Sequence, residues 1–279
     1  MKKILGIIAS RRKIANGEIL LKEACKAVEE NYQLELIRLP DLKLEPCKGC
    51  YACLNPEKLC PLGDDLYYLA DKIKAADGVI VSSPCYVLGP AAITKLLSDR
   101  TIALAQLLDD FWGKPCVIIG TAGIKEWEGY TMSALVMMTR SIGLDVKDAH
   151  MFIGALPGEA VEAAGALPRI RQLGKALFGE KRGAENGQCP TCWSDLWKFP
   201  KPDLSVCPIC GQEANLIIND SGLSWEYGPS GARLGYEELK RHFQKWLPEK
   251  AQEFGARRKE LELVRNRYKN QGQWLTPPT

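Results

Sequence analysis

The stretch KILGIIAS at residues 3–10 indicates the fold class. It is a continuous apolar run that ends in a serine, and a polar loop at 11–17 and a helical segment from Glu18 follow it. An unbroken apolar run of this length predicts a strand buried on both faces, as in a parallel sheet. Strand, loop and helix in succession form the repeating unit of such sheets, so the sequence predicts an α/β fold.

Four further apolar stretches repeat this pattern. They lie at residues 34–39, 78–81, 116–120 and 149–153. Helical segments at 65–76 and 131–142 separate some of them. Five buried strands that alternate with helices predict a doubly wound, five-stranded parallel sheet.

Three polar or glycine-bearing loops leave the carboxyl ends of these strands, where doubly wound sheets bind their ligands. They span residues 10–18, 84–90 and 121–129. In the first loop, Ser10, Arg12 and Asn16 can surround an anion with a hydroxyl, a guanidinium and the first amides of a helix. The alternative is an ordinary solvated turn. Neither GxxxxGK(S/T) nor GxGxxG follows the first strand, which excludes a P-loop and a dinucleotide fingerprint.

Composition and charge indicate an ordinary globular protein. The 279 residues are 46% hydrophobic and 25% charged, which argues against a disordered or fibrous chain. We expect no signal peptide and no membrane span, because every apolar run is too short to cross a bilayer. We expect a cytoplasmic location, because CxxC units in a long chain without a signal peptide suggest reduced thiols. The net charge of +3 comes from the tail, where residues 236–270 hold ten basic and six acidic residues. Two metal centres on cysteine thiolates would add about −2 each and bring the net charge to about −1, so we expect no nucleic-acid partner.

The cysteines are clustered, which predicts metal centres rather than disulfides in a long chain with CxxC units. The first cluster consists of Cys47, Cys50, Cys53 and Cys60. Two successive x2 spacings and a fourth cysteine nearby suit a 4Fe-4S cluster. Zinc and redox-active or structural thiols remain alternatives, although tetrahedral zinc usually takes two separated CxxC units.

The second cluster consists of Cys189, Cys192, Cys207 and Cys210, two CPxC units with the spacing of a four-cysteine ribbon. Zinc would stabilise this module, whereas rubredoxin-type iron would add a redox centre, and we favour zinc. A composition change at Gly183 and a helical pattern after Gly235 divide the chain. We expect a domain at 1–182 with a cysteine-rich insertion at 46–61, a ribbon or rubredoxin-like module at 183–234, and a helical tail at 235–279.

Several loop motifs together resemble the NADPH-dependent FMN reductase family. They are Ser10-Arg11-Arg12-Lys13 running to Asn16-Gly17-Glu18, Asp77-Gly78, Ser83-Pro84-Cys85-Tyr86 with Gly89, Lys95 with Asp99-Arg100, and Gly113-Lys114-Pro115. Within that family, the insertion Pro46 to Cys53, closed by Cys60, is similar to the iron–sulfur flavoproteins of anaerobes. The resemblance covers about residues 1–155 and implies a flavodoxin-like fold.

The resemblance also implies which residues bind FMN. The phosphate would lie at Ser10, Arg12, Asn16 and Gly17, the flavin ring against Pro84, Tyr86, Val87, Leu88 and Gly89, and its other edge along Thr121, Gly123 and Gly129. The chain departs from the family pattern because Arg11 replaces a proline, Gly17 a threonine or serine, and Cys85 an apolar residue. The flavin would do the chemistry, so we assign no catalytic side chain, with Cys85 a minor candidate.

These expectations converge on a flavin and iron–sulfur oxidoreductase that passes electrons from ferredoxin or NAD(P)H to a small acceptor. One alternative is an NAD(P)H-dependent FMN or quinone reductase without a working cluster. Another is a redox-sensing protein whose ribbon engages nucleic acid or a protein partner. The resembled flavoproteins assemble as dimers or tetramers, so we expect a homodimer or homotetramer.

Overall fold

Five parallel strands form the central sheet in a computed structural model that describes residues 1–55, 57–185, 187–219, 222–273 and 275. The five parallel strands are β1 (Lys2–Ile8), β2 (Tyr32–Arg38), β3 (Gly78–Tyr86), β5 (Pro115–Ala122) and β6 (Asp145–Ile153), and a short sixth strand is β4 (Gly89–Pro90). Their order is β2-β1-β3-β5-β6, and β4 pairs antiparallel with the end of β3. The predicted flavodoxin-like, five-stranded parallel sheet is therefore confirmed, and β4 is an addition that the sequence did not indicate.

Helices cover both faces of this sheet. They are α1 (Asn16–Cys25), α2 (Leu66–Ala75), α3 (Ala92–Asp99), α4 (Leu108–Phe111), α5 (Thr131–Ser141), α6 (Glu159–Glu162) and α7 (Ala166–Ala176). One buried apolar cluster packs α1, α6 and α7 on one face of the sheet. A second packs the four helices α2, α3, α4 and α5 on the other face. Because both faces are covered, the central strands β1, β3 and β5 consist largely of consecutive buried residues, which is why their sequences lack alternation, whereas the edge strands β2 and β6 are less buried.

A smaller module and a helical tail follow the sheet domain. The module has the strands β7 (Leu204–Val206), β8 (Glu213–Asn219) and β9 (Gly222–Tyr227) in one antiparallel sheet. The tail comprises α8 (Tyr236–Arg241), a π-helical turn (His242–Trp246), α9 (Leu247–Ala256) and α10 (Arg258–Asn266). Residues 274 and 276–279 of the predicted tail lie outside the described residues.

The module and the tail pack on the sheet domain at specific contacts. The Ser133 hydroxyl of α5 lies 3.0 Å from the Ser194 hydroxyl of the module, and Arg140 donates a hydrogen bond to the carbonyl of Thr191. In the tail, the Tyr236 hydroxyl donates to the Asp109 carboxylate at 2.7 Å. Both appendages are therefore fastened to the helix-covered face that carries α4 and α5.

None of the helices that the structure describes has the length and apolar composition required to span a bilayer.

Candidate active site and metal centres

The carboxyl ends of β1, β3 and β5 surround a cavity of about 230 Å³. Its lining residues are Ser10, Arg12, Ala15, Asn16, Gly17, Ser82, Pro84, Cys85, Tyr86, Thr121, Ala122, Gly123, Gly154, Ala155 and Pro157. The three predicted loops meet here because their strands are neighbours in the sheet. A fourth segment, which follows β6, closes the remaining side.

Eight of the twelve residues proposed to bind FMN line this cavity. They are Ser10, Arg12, Asn16, Gly17, Pro84, Tyr86, Thr121 and Gly123. The other four lie outside the lining: the Val87 side chain is 97% exposed, Leu88 packs against Gly129, and Gly89 lies beside the Tyr130 ring. These four residues shape the loop next to the cavity. Direct contact with FMN stays a prediction for all twelve residues.

Asn16 has a structural task in addition to its place in the cavity. Its side-chain amide donates to the carbonyl of Gly154 at 2.9 Å, and its Oδ1 accepts from the backbone N–H of Gly158 at 2.7 Å. The side chain thus holds the segment after β6 against the start of α1. An anion at this position would meet the backbone amides of α1 rather than the Asn16 side chain.

Glu18 braces the same loop from the first turn of α1. Its buried carboxylate accepts from the backbone N–H of Ile14 at 3.0 Å and from Arg38 at 2.6 Å. Burial alone would raise the pKa of Glu18, but the hydrogen bonds from Lys22 and from Ile14 hold that pKa below its usual value. The carboxylate is therefore charged at neutral pH and orders the loop that carries Arg12.

Ser82 is a cavity residue that the sequence reasoning missed. A Cβ atom on Gly17 would lie 2.7 Å from its Oγ, so the Ser82 hydroxyl occupies the space of the side chain that Gly17 lacks. Ser82 is buried in the middle of β3, directly after the apolar run at 78–81. A serine that ends a buried apolar run was the available signal, but its closeness to Gly17 depends on the packing of β3 against α1.

Apolar side chains form an exposed rim at the cavity mouth. The exposed members are Ile14, Tyr86, Val87, Leu88, Ile124, Trp127, Tyr130 and Leu156. The backbone of these loops is also strained, since Ile14, Val87 and Leu88 have positive φ angles of 51°, 50° and 64°. β-Branched residues rarely adopt this conformation, and such strain is concentrated at functional sites.

The first cysteine cluster lines a second cavity, of about 220 Å³. Cys47 and Cys50 are exposed, Cys53 is buried and Cys60 is half-buried. Burial, and then the charge of Cys60, raise the pKa of the Cys53 thiol, which a bound cation would reverse. Tyr51, between two of the cysteines, is held at a positive φ of 56°.

The thiols of the first cluster are not gathered as closely as those of the second. In the described part of the chain, only the second cysteine cluster has its ligand atoms all within 4.8 Å of one another. The thiols of the first cluster nevertheless line one cavity. In a cubane, each thiolate binds a different iron at a different corner, so four thiols around one cavity are the donor set that such a group needs.

The second cysteine cluster has the geometry of a single-ion site. All four thiols are buried, and the Cys189–Cys210 and Cys192–Cys207 sulfurs lie 3.5 Å apart. Thiolates that bind a tetrahedral ion at about 2.3 Å lie about 3.8 Å from one another. The four residues therefore fit one tetrahedral metal ion.

The three isolated cysteines differ in environment. Burial raises the pKa of the Cys25 thiol to about 12, and it also raises the pKa of Cys116, so both are unreactive core residues. Cys85 lines the first cavity, and its thiol donates to the carbonyl of Trp127 at 3.4 Å. This hydrogen bond connects the end of β3 to the loop that follows β5.

Comparisons with known proteins identify the family of the sheet domain and two similar proteins. The sequence profile of the NADPH-dependent FMN reductase family matches residues 2–150. An iron–sulfur flavoprotein of Methanocaldococcus jannaschii is 34% identical over an alignment of 184 residues, and the match covers 63% of this chain and 95% of that protein. A flavone synthase of Aspergillus candidus is 25% identical over an alignment of 251 residues, and the match covers 78% of this chain and 77% of that protein.

A solved structure shares the architecture of the entire chain. The structure of a flavone reductase superposes with a TM-score of 0.72 and 16% sequence identity, and it covers 99% of this chain and 100% of its own. At this identity the likeness shows a common fold. The ribbon module and tail are therefore part of an architecture that another protein also has.

Proposed function

Because the chain belongs to the NADPH-dependent FMN reductase family and is an FMN-dependent oxidoreductase related to iron–sulfur flavoproteins, we propose that it transfers electrons through two centres. A reduced carrier, ferredoxin or NAD(P)H, would supply the electrons. A 4Fe-4S cluster bound by Cys47, Cys50, Cys53 and Cys60 and an FMN in the first cavity would pass them to a small acceptor.

The observation that carries this proposal is the position of the two sites at opposite ends of α3. The helix starts directly after the loop at 84–91, and the backbone N–H of Ala91 donates to the carbonyl of Pro84 at 3.0 Å. It ends at Asp99, and Arg100 then lines the cavity of the first cysteine cluster. Eight helical residues span about 12 Å, so the two centres would be close enough for electron transfer.

The residues of the first cavity fit FMN. Ser10, Arg12 and the first amides of α1 would bind the phosphate, and the Ser82 hydroxyl would add a donor beside Gly17. Pro84 and Tyr86 would contact the flavin ring on one side and Thr121 and Gly123 on another. When bound, FMN would supply two-electron chemistry and release electrons singly, which matches a one-electron cluster.

The first cysteine cluster fits an electron entry site. Cys47 and Cys50 are exposed, so a cluster bound there would have an edge that a protein carrier can approach. Lys48 and Lys58 are exposed in the same insertion and would favour an acidic carrier such as ferredoxin. We therefore propose ferredoxin as the first donor to test and NAD(P)H as its alternative.

For the ribbon module we propose a structural zinc ion. Its four thiols are buried, and the module is fastened to α5 through Ser133 and Arg140. A structural ion stabilises such a small sheet, whose own apolar core is limited. We propose in addition that copies of the chain associate as a dimer or tetramer.

A planar aromatic ketone is a second candidate for the acceptor. Two observations favour it: the aromatic rim of Tyr86, Trp127 and Tyr130 at the cavity mouth, and the similarity to a flavone synthase that covers 78% of this chain. Stacking of a planar substrate on this rim would place it beside the flavin.

The experiment is anaerobic reduction of the flavin by two donors, reduced ferredoxin and NADPH. Wild type is compared with Cys50→Ser, which removes one ligand of the cluster. We expect ferredoxin to reduce the flavin of wild type at least tenfold faster than that of the variant. Equal rates with ferredoxin, together with rapid reduction by NADPH in both proteins, would instead support a reductase without a working cluster.

A further inference from the structure

Arg100 is a buried cation at the end of α3. Its side chain is 1% exposed, and its Nη2 donates to the Sγ of Cys60 at 3.4 Å. The same guanidinium donates through Nη1 to the backbone carbonyl of Glu45 at 2.7 Å. It therefore connects the segment just before Cys47 with the last cysteine of the first cluster.

Asp64 is the counterion that holds this guanidinium in place. Its carboxylate accepts from both terminal nitrogens of Arg100, and its side chain is 2% exposed. It also accepts from the backbone N–H of Glu45 at 2.8 Å. The ion pair is therefore fixed in orientation: the guanidinium of Arg100 faces Cys60, and the carboxylate of Asp64 is held by the backbone amide of Glu45.

The guanidinium is also part of the cavity wall. Arg100 lines the cavity of the first cysteine cluster, and its Nε–H has no hydrogen-bond partner among the residues that the structure describes. A buried donor without a partner costs free energy. A sulfur atom of a bound cluster would be an acceptor for it.

We propose that Arg100 is a positioning residue that raises the reduction potential of the cluster through its contact with Cys60. This inference rests on the proposed function, because it requires a cluster on the four cysteines. One electron from the carrier would enter the cluster, no bond would form or break, and no proton would move. A hydrogen bond to the thiolate and a nearby buried positive charge both stabilise the more negative, reduced state.

The proposal predicts opposite effects for the two partners of the pair. Arg100→Gln removes the positive charge, so reduction becomes less favourable and the midpoint potential of the cluster falls. Asp64→Asn removes the counterion and leaves the guanidinium uncompensated, so the potential rises. A residue with only a structural role has no reason to shift the potential in both directions.

Arg169→Gln is the matched control. Arg169 donates to the buried carboxylate of Asp148 at 2.6 Å, Arg182 also donates to that carboxylate at 2.7 Å, and Asp148 lies on β6. This pair does not line the cavity of the first cysteine cluster. The control variant therefore loses a buried ion pair without a change beside Cys60.

The test is a redox titration of the holoprotein, with the reduced cluster detected by EPR and the iron and sulfide content measured for each variant. We expect at least a tenfold change in the equilibrium constant of reduction, about 59 mV for one electron, downward in Arg100→Gln and upward in Asp64→Asn. Arg169→Gln should titrate like wild type.

Two results would overturn the inference while the proposed function stands: an unchanged potential in both variants, or loss of the cluster from both while Arg169→Gln keeps it. The second result would assign the pair to folding of the insertion. A wild-type protein without sulfide would instead contradict the proposed function itself.

Discussion

Ser82 and Gly17 share one space in the first cavity, and we expect Ser82 to supply the hydroxyl that Gly17 lacks. Ser82→Ala should weaken FMN binding about tenfold or more, because a hydrogen bond to a charged phosphate contributes about 1.5 to 3 kcal/mol. Gly17→Ser alone should also weaken it, since its Cβ would lie 2.7 Å from the Ser82 hydroxyl. Quenching of FMN fluorescence by the apoprotein measures the dissociation constants.

The double variant, Gly17→Ser with Ser82→Gly, makes this prediction specific. It moves the hydroxyl from β3 to the first turn of α1 and removes the clash, so binding should recover to near the wild-type value. Ser141→Ala, at the far end of α5, is the control. If Ser82→Ala bound FMN as tightly as that control, the assignment of Ser82 to the phosphate would be wrong.

His150 should make the folded protein less stable in mild acid. Burial, and then the charge of Arg169, lower the pKa of His150 to about 4, whereas it is near 6.5 in the unfolded chain. Between these values the unfolded chain binds a proton that the folded protein does not, so stability falls as the pH falls from 6.5 toward 4.

The size of this effect is about 2 kcal/mol between pH 6.5 and 4.5. Urea unfolding at the two pH values should therefore show a loss of stability in wild type that is about 2 kcal/mol greater than in His150→Gln. An equal loss in the two proteins would show that His150 does not titrate in this way.

At the residue scale, the sequence predicted side chains whose chemistry depends on local spacing. The four thiols of the first cysteine cluster are close in sequence, and so are Ser10, Arg12 and Gly17 of the first cavity. The contacts of Ser82, Asn16 and Arg100 could not be predicted, because each joins segments distant in sequence. The commitment of the Asn16 side chain to the loop after β6 is one such contact.

At the scale of elements, α1 and α7 approach so closely that a glycine is required between them. A Cβ atom on Gly174 would lie 2.0 Å from the carbonyl oxygen of Ala24, and neither backbone can yield easily. Gly174→Ala should therefore lower the free energy of unfolding by about 3 kcal/mol.

Gly255 in α9 provides the matched substitution. Nothing lies within 4 Å of the Cβ that would be added there, so Gly255→Ala should stabilise the helix by about 0.5 to 1 kcal/mol. Thermal unfolding of both variants measures the difference. A Gly174→Ala protein as stable as wild type would mean that α1 and α7 can separate at little cost.

The order of elements followed from the sequence, but some of their ends did not. The strands extend further than their apolar runs, since β3 continues through Pro84 to Tyr86. Pro248 does not break the helical tail, because it lies in the first turn of α9, where a proline is tolerated. The break falls at Arg257, whose φ and ψ of −94° and 8° end that helix.

At the scale of the whole molecule, the ribbon module is joined to the sheet domain through one face. Its Trp193 and the tail's Leu239 belong to the same buried apolar cluster as Leu135 of α5. Sequence spacing predicted the four-cysteine site but not this shared core, because the core depends on how the module docks.

Loss of the metal ion proposed for the ribbon module should disturb the module and leave the first cavity intact. Cys207→Ser should lose about one zinc ion per chain and change the tryptophan fluorescence, since the stacked rings of Trp197 and Trp225 lie 4.8 Å apart within the module. FMN content should stay at the wild-type level. Loss of FMN together with the metal would show that the module also maintains the flavin cavity.

The most direct test of the central claim is the cofactor content of anaerobically purified protein. The account predicts about one FMN, four irons, four sulfides and one zinc per chain in wild type, and loss of iron and sulfide but not of FMN or zinc in Cys50→Ser. A wild-type protein with FMN and zinc but no sulfide would contradict it.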